Sequence, residues 1–156
     1  MTIFWFRRDL RLDDNAGLYH ALRSGQPVQC VFIFDKDILD LLEDKNDRRV
    51  VFIHRQIKKL SDELNALGSS LLVKVGKPME IWKELINDFK VEHVFTNHDY
   101  ETYAKQRDES IKSLLEKSSI TFSTFKDQVI FEKDEVMKDD GTPYTVYTPY
   151  MKKWRS

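Results

Sequence analysis

Thr2-Ile3-Phe4-Trp5-Phe6-Arg7-Arg8-Asp9-Leu10-Arg11-Leu12-Asp13-Asp14-Asn15 decides how this chain is read. Its first half is a short apolar run with aromatic and β-branched residues, the pattern of a buried strand. Its second half sets Arg7, Arg8, Asp9, Arg11, Asp13 and Asp14 directly behind that strand. Charge packed so close to a core strand describes either a solvated strand-to-helix loop or the rim of a site.

Working outward, strand and helix patterns alternate. Asp13, Asp14 or Asn15 can cap a helix carrying Leu18, Ala21 and Leu22 on one face, with Gly25 ending it. Val28 to Phe34 reads as a second buried strand closed by Asp35. Lys36 to Asp47 is polar around a Leu39, Leu41, Leu42 patch and reads as a loop with a helical turn. Ile53, Ile57, Leu60, Leu64 and Leu67 recur at helical spacing between Arg48 and Leu67, and Gly68 stops that helix. Leu71 to Val75 is a third strand, and Pro78 opens a helix whose apolar face is Ile81, Trp82, Leu85, Ile86 and Phe89. Glu92 to Thr96 is a fourth strand, followed by Asn97-His98-Asp99-Tyr100-Glu101. A helix from Thr102 to Lys117 carries Ile111, Leu114 and Leu115, and Ile120 to Phe125 is a fifth strand.

Strands separated by helices pair in parallel through right-handed crossovers. The sequence therefore predicts an α/β domain over residues 1–126, a doubly wound, Rossmann-like five-stranded parallel sheet of order 3-2-1-4-5. Residues 127–156 have a different texture and read as the start of an interdomain linker. There Tyr144-Thr145-Val146-Tyr147-Thr148-Pro149-Tyr150 is aromatic without an evident partner.

Composition narrows function by exclusion. The 156 residues carry 25 basic and 26 acidic side chains, so no basic excess marks a phosphate-gripping surface. The single cysteine, Cys30, excludes an internal disulfide and lies within an apolar run, where an inert thiol is expected. His20, His54, His93 and His98 lack the spacing of metal ligands. Apolar runs are strand-sized, with no signal peptide, so the expectation is a soluble cytoplasmic chain with no membrane partner.

Ligands of open α/β sheets bind beyond the carboxyl ends of the strands, where the strand order reverses. For order 3-2-1-4-5 that point lies between the first and fourth strands, whose following loops are Arg7–Asp14 and Asn97–Glu101. None of the five glycines builds a phosphate-cradling loop after the first strand. Arginines, carboxylates and aromatics suit instead a planar heteroaromatic ligand with polar edges.

The string Trp-Phe-Arg-Arg-Asp-Leu-Arg-Leu, running on to Asp-Asn, resembles the opening of the DNA photolyase and cryptochrome family. Cys30 to Asp35 resembles that family's second strand. Asn97 to Asp108 resembles its Asn-x-Asp-x-Glu-x-Tyr-x-x-x-Arg-Asp block, and Tyr144 to Tyr150 with Trp154 its segment leaving the domain. The resemblance implies an N-terminal antenna-chromophore domain, here without the helical domain that holds FAD and repairs pyrimidine dimers in DNA. Chromophore and that missing C-terminal domain are the implied partners, with DNA reached only through the full-length protein. No catalytic residue is expected in this part, and whether the chain counts as an enzyme stays open.

Tyr103 and Ala104 stand where folate-binding members carry an Asn-Glu pair. The resemblance therefore implies a deazaflavin or a flavin rather than methenyltetrahydrofolate. Carried over residue by residue, it points to Arg49, Asp99 and Arg107 as polar contacts, with Arg8, Asp9, Phe34 and Glu101 behind them. Arg107 has a competing structural role, since an Asp99–Arg107 or Glu101–Arg107 pair could hold the loop. Two alternatives stand beside the antenna reading: a cryptochrome-type photoreceptor domain, and a cofactor-free interaction module that docks through its aromatic tail.

Overall fold

In the first strand, β1 (Thr2–Phe6), alternate side chains leave on opposite sides of the sheet. Ile3 and Trp5 enter one apolar cluster and Phe4 and Phe6 another. Both sides must therefore be covered, which a parallel doubly wound sheet achieves with helices on each face. The computed structural model describes residues 1–44 and 47–156. It has β2 (Val28–Asp35), β3 (Leu71–Gly76), β4 (His93–Asn97) and β5 (Thr121–Phe125) in the order β3-β2-β1-β4-β5, all pairs parallel. The expected order stands.

Helices α1 (Ala16–Leu22) and α3 (Arg48–Ala66) bring Leu18, Ala21, Ile57, Leu60 and Leu64 onto Phe4, Phe6, Phe32 and Phe95. Helices α4 (Pro78–Asp88) and α5 (Thr102–Lys117) cover the other face with Ile81, Trp82, Leu85, Ile111 and Leu115 on Ile3, Trp5, Val31 and Val94. Trp5 and Trp82 meet edge to face at 5.4 Å in the middle of that layer. Burying each such ring contributes roughly 2–3 kcal/mol before the entropy of ordering it is charged.

Three carboxylate or amide side chains start helices. Asn15, of the three candidates, caps α1 by accepting from Leu18 N at 3.0 Å. Asp35 caps α2 (Lys36–Leu39), the helical turn expected in the polar segment, and Asp47 caps α3. Residues 45 and 46 of that segment lie outside the described residues.

Some expectations fail at the helix ends. Leu22 and Leu67, counted as core by their spacing, are 64% and 74% exposed. Leu22 is the last residue of α1 and Leu67 the cap of α3, where each helix has run past the sheet it covers. The aromatic tail also differs from its reading. Tyr147–Arg155 forms a further helix, α6, with Pro149 in its first turn, where a missing N–H costs nothing. Its aromatics pair within the tail, Trp154 with Phe131 at 5.8 Å and Tyr150 with Tyr144 at 6.2 Å.

Candidate functional site

The loops after β1 and β4 do meet, as the strand order requires, but their meeting point is closed. The Arg7 guanidinium grips both oxygens of Asp108 at 2.5 and 2.6 Å and also donates to the Asn97 carbonyl. Asp9 turns inward: it accepts from Arg7 N at 2.8 Å, from Asn97 Nδ2 at 2.6 Å and from Asn15 Nδ2 at 3.3 Å. Asn97 Oδ1 in turn accepts from Gly17 N at 2.7 Å. A Cβ at Gly17 would stand 2.7 Å from that oxygen and 2.8 Å from Phe4 Cε2, so only glycine lets α1 approach β4 this closely. Burial lowers the Arg7 pKa, countered by Asp108, and the guanidinium stays charged. The hollow left beside this lock measures about 50 Å³, room for water but not for a ring.

The cavity opens next to it, beyond the carboxyl ends of β1 and β2. It measures about 320 Å³, inside the range of small-molecule sites. Its apolar wall comes from Phe34 on β2, Ile38 and Leu39 on α2, Leu42, and Val50 and Ile53 on α3. Arg8, Arg49, Asp99 and Arg107 supply polar groups, and Trp5 and Asp35 lie deeper. An apolar surround with a few convergent polar groups suits a planar ring with hydrogen-bonding edges. A wider hollow of about 410 Å³ between α5, β5 and the tail is lined mostly by charged side chains, among them Lys105, Glu109, Lys112 and Lys133.

Arg107 is held on several sides at the cavity. Its guanidinium reaches Asp108 Oδ1 at 3.1 Å and lies 3.8 Å from Asp35 Oδ2. Its central carbon stands 5.0 Å from the Trp5 ring centre and 5.7 Å from that of Tyr103. Tyr103 donates its hydroxyl to Asp35 Oδ2 at 2.6 Å, and burial plus that carboxylate push the phenol pKa up. Neither expected loop pair forms. Asp99 and Glu101 take Arg8 instead, at 3.6 and 2.5 Å, because Arg107 is already held by the aspartates of α5 and β2.

Arg49 sits at the rim, 74% exposed, folded back on Asp47 at 2.6 Å. Hydrogen bonds from the Arg49 side chain and backbone hold the Asp47 carboxyl down at about 2.

Of the seven residues singled out in the sequence, Arg8, Phe34, Arg49, Asp99 and Arg107 line the cavity. Asp9 belongs to the lock, and Glu101 lies outside the lining on the exposed side of Arg8. Trp5, Asp35 and Tyr103 were not singled out as site residues. A charged residue closing β2 was the available signal for Asp35. Among the described residues no group of His, Cys, Asp and Glu could hold a metal ion. Burial raises the Cys30 thiol to about 11, which keeps it protonated and inert.

A doubly wound sheet with a ring-sized cavity at the carboxyl end of its first two strands is the architecture in which α/β domains bind small ligands. Residues 2–156 match the family model described as DNA photolyase, and the chain belongs to that family as its N-terminal domain. It is 32% identical over 154 residues to the deoxyribodipyrimidine photo-lyase of Synechococcus, matching 99% of this chain and 32% of that protein. The Halobacterium salinarum photo-lyase is 34% identical, with 99% and 34% covered. The chain thus spans about a third of the length of these curated relatives. A bacterial class III photolyase from Agrobacterium tumefaciens superposes with a TM-score of 0.83 at 30% identity, covering 95% of this chain and 30% of that one. The archaeal photolyase of Sulfolobus tokodaii, solved with two FAD molecules and described as implying a novel light-harvesting cofactor, gives 0.74 at 33% identity, covering 85% and 32%. Cryptochrome-1 of Erithacus rubecula is 26% identical over 140 residues, 90% of this chain and 22% of that protein.

Proposed function

We propose that this domain holds the light-harvesting chromophore of a deoxyribodipyrimidine photolyase, and that the chromophore is a deazaflavin or a flavin seated in the cavity beyond β1 and β2. The observation that carries the reading is the composition of that cavity: about 320 Å³, apolar on the α2–α3 side, with Arg8, Arg49, Asp99 and Arg107 opposite. Those residues fit a tricyclic ring whose faces are apolar and whose edges accept and donate hydrogen bonds. The photolyase relatives at 32% and 34% identity, against 26% for the cryptochrome, favour repair over signalling.

The chromophore supplies absorption and passes excitation on by dipole coupling, so the protein's work is placement. The α2–α3 wall excludes water from the ring, Arg107 is fixed by Asp35 and Asp108 before any ligand arrives, and Arg49 stands at the rim within reach of a ligand edge. Folate fits less well. Tyr103 has committed its hydroxyl to Asp35, and Ala104 is 3% exposed, so neither offers a polar contact. The full-length protein would add the helical domain that carries FAD and meets DNA in the cytoplasm; among the described residues no helix is long and apolar enough to cross a membrane.

Fluorescence titration tests the chromophore. Riboflavin, FMN or a deazaflavin is quenched or shifted on adding the protein, and substituting Arg107 with Met weakens that response about tenfold, or about 1.4 kcal/mol. No response to any of them at high micromolar concentration refutes the reading.

A further inference from the structure

Behind the cavity lies a second hollow of about 250 Å³, lined by Asp37, Met79, Tyr103, Gln106 and Ser110, with Ile111 at its base. Pro78 and Arg107 line both spaces. What separates the two is therefore a thin wall: Pro78, the Arg107 guanidinium, and the hydrogen bond of 2.6 Å from the Tyr103 hydroxyl to Asp35 Oδ2. Asp35 faces the first hollow and Tyr103 the second. Tyr103 is the one member of this wall that a rotation about its side-chain bonds could withdraw, since Pro78 is backbone-bound in the first turn of α4 and Arg107 is clamped by two carboxylates.

We propose that Tyr103 is the residue that sets chromophore length: locked on Asp35, it partitions the two hollows and limits the site to a mononucleotide-sized flavin. This rests on the chromophore reading above. The chemistry of the second hollow supports it, because its lining is what an adenosine would need. Met79 and Ile111 offer an apolar bed for a base, Asp37 an acceptor for ribose hydroxyls, and Gln106 and Ser110 edge contacts, while Arg107 in the shared wall stands where a bridging phosphate would cross. With the wall in place that half of a dinucleotide is shut out. Tyr103 acts on the ligand by exclusion, so its removal should relax selectivity rather than destroy binding.

The test compares FMN with FAD on the 156-residue chain, by fluorescence titration of each ligand against wild type, Tyr103→Phe and Tyr103→Ala. Wild type is expected to prefer FMN by about tenfold or more, a difference of about 1.4 kcal/mol. Tyr103→Ala, which joins the hollows, should erase that preference by tightening FAD while leaving FMN within about threefold, or about 0.6 kcal/mol. Tyr103→Phe keeps the ring but frees it from Asp35 and should fall between. A thermal melt of each variant confirms that it is folded. Equal affinity of wild type for the two ligands, or an unchanged ratio in folded Tyr103→Ala, overturns the partition while leaving the chromophore reading intact. Binding of neither ligand by wild type removes both.

Discussion

Two regions at the same edge of the sheet are built from the same residue types and do opposite things. At the gap between β1 and β4, Arg7, Asp9, Asn97 and Asp108 satisfy one another so completely that no ligand-sized space is left. One strand over, Arg8, Arg49, Asp99 and Arg107 stand against an apolar wall and leave about 320 Å³ open. The difference lies in what the charges face. In the gap the charges close on one another from all sides, whereas at the cavity each arginine is paired on one flank and has leucine, isoleucine or valine across the open space from it. Charge density alone therefore marks the neighbourhood of a site, and apolar partners mark the site.

The contrast is broken most severely through the lock. Arg7→Ala leaves Asp108 and the Asn97 carbonyl without their main donor, and urea denaturation should register a loss of about 3–5 kcal/mol, the range for breaking one partner out of a buried pair. A loss below about 1 kcal/mol, the worth of an exposed pair, would place the lock in the same class as the rim. Gly17→Ala puts a methyl group into Asn97 and Phe4 and should cost about 1–3 kcal/mol by the same measurement, with the chromophore affinity unaltered.

The rim should behave in reverse. Arg49→Ala is expected to leave stability within about 0.5 kcal/mol while weakening flavin binding about tenfold, read by melting and by titration on one sample. The smallest effect is a titration. Asp47 is lowered from 3.8 to about 2, so the ion pair's contribution is complete above pH 3.8 and is lost as pH falls through 2. The Nε–H resonance of Arg49 should move across that window in an acid series and stay fixed between pH 5 and 7; a midpoint at 3.8 or above would mean that the clasp is open in solution.

Most of the architecture was legible because five apolar runs alternate with helical periods, and that alternation admits few sheet topologies. Leu22 and Leu67 misled because spacing counts turns of a helix without knowing where the layer beneath it stops. The tail helix was missed because Trp154 and Phe131 are joined by packing across 23 residues and by no local period. In the site, strand order brought the loops of Arg8 and Asp99 together, but the sequence offered Arg107 as the partner of Asp99, and the structure gives Arg8. Asp9 could not be told from Arg8, because the turn that sends its carboxylate inward is closed by Arg7 N, a contact of backbone geometry. Arg107 was recognised, but of its partners only Asp108 adjoins it on α5, while Asp35 lies at the end of β2.

The lock joins residues far apart along the chain. Arg7 and Asp108 are 101 positions apart, and Arg11 and Asp127, whose carboxylate also holds Ala16 N, are 116 apart. During synthesis the arginines of the first loop leave the ribosome long before the acids that will neutralise them. At about 5–20 residues per second, the interval is roughly 5–20 seconds. Through that time the opening strand can pair with β2, and β2 with β3, but the gap beside it stays wet and unpaired. The oldest part of the chain is thus the last to be finished, and a nascent chain halted before α5 carries Arg7 and Arg11 without Asp108 and Asp127, the acids that close on them.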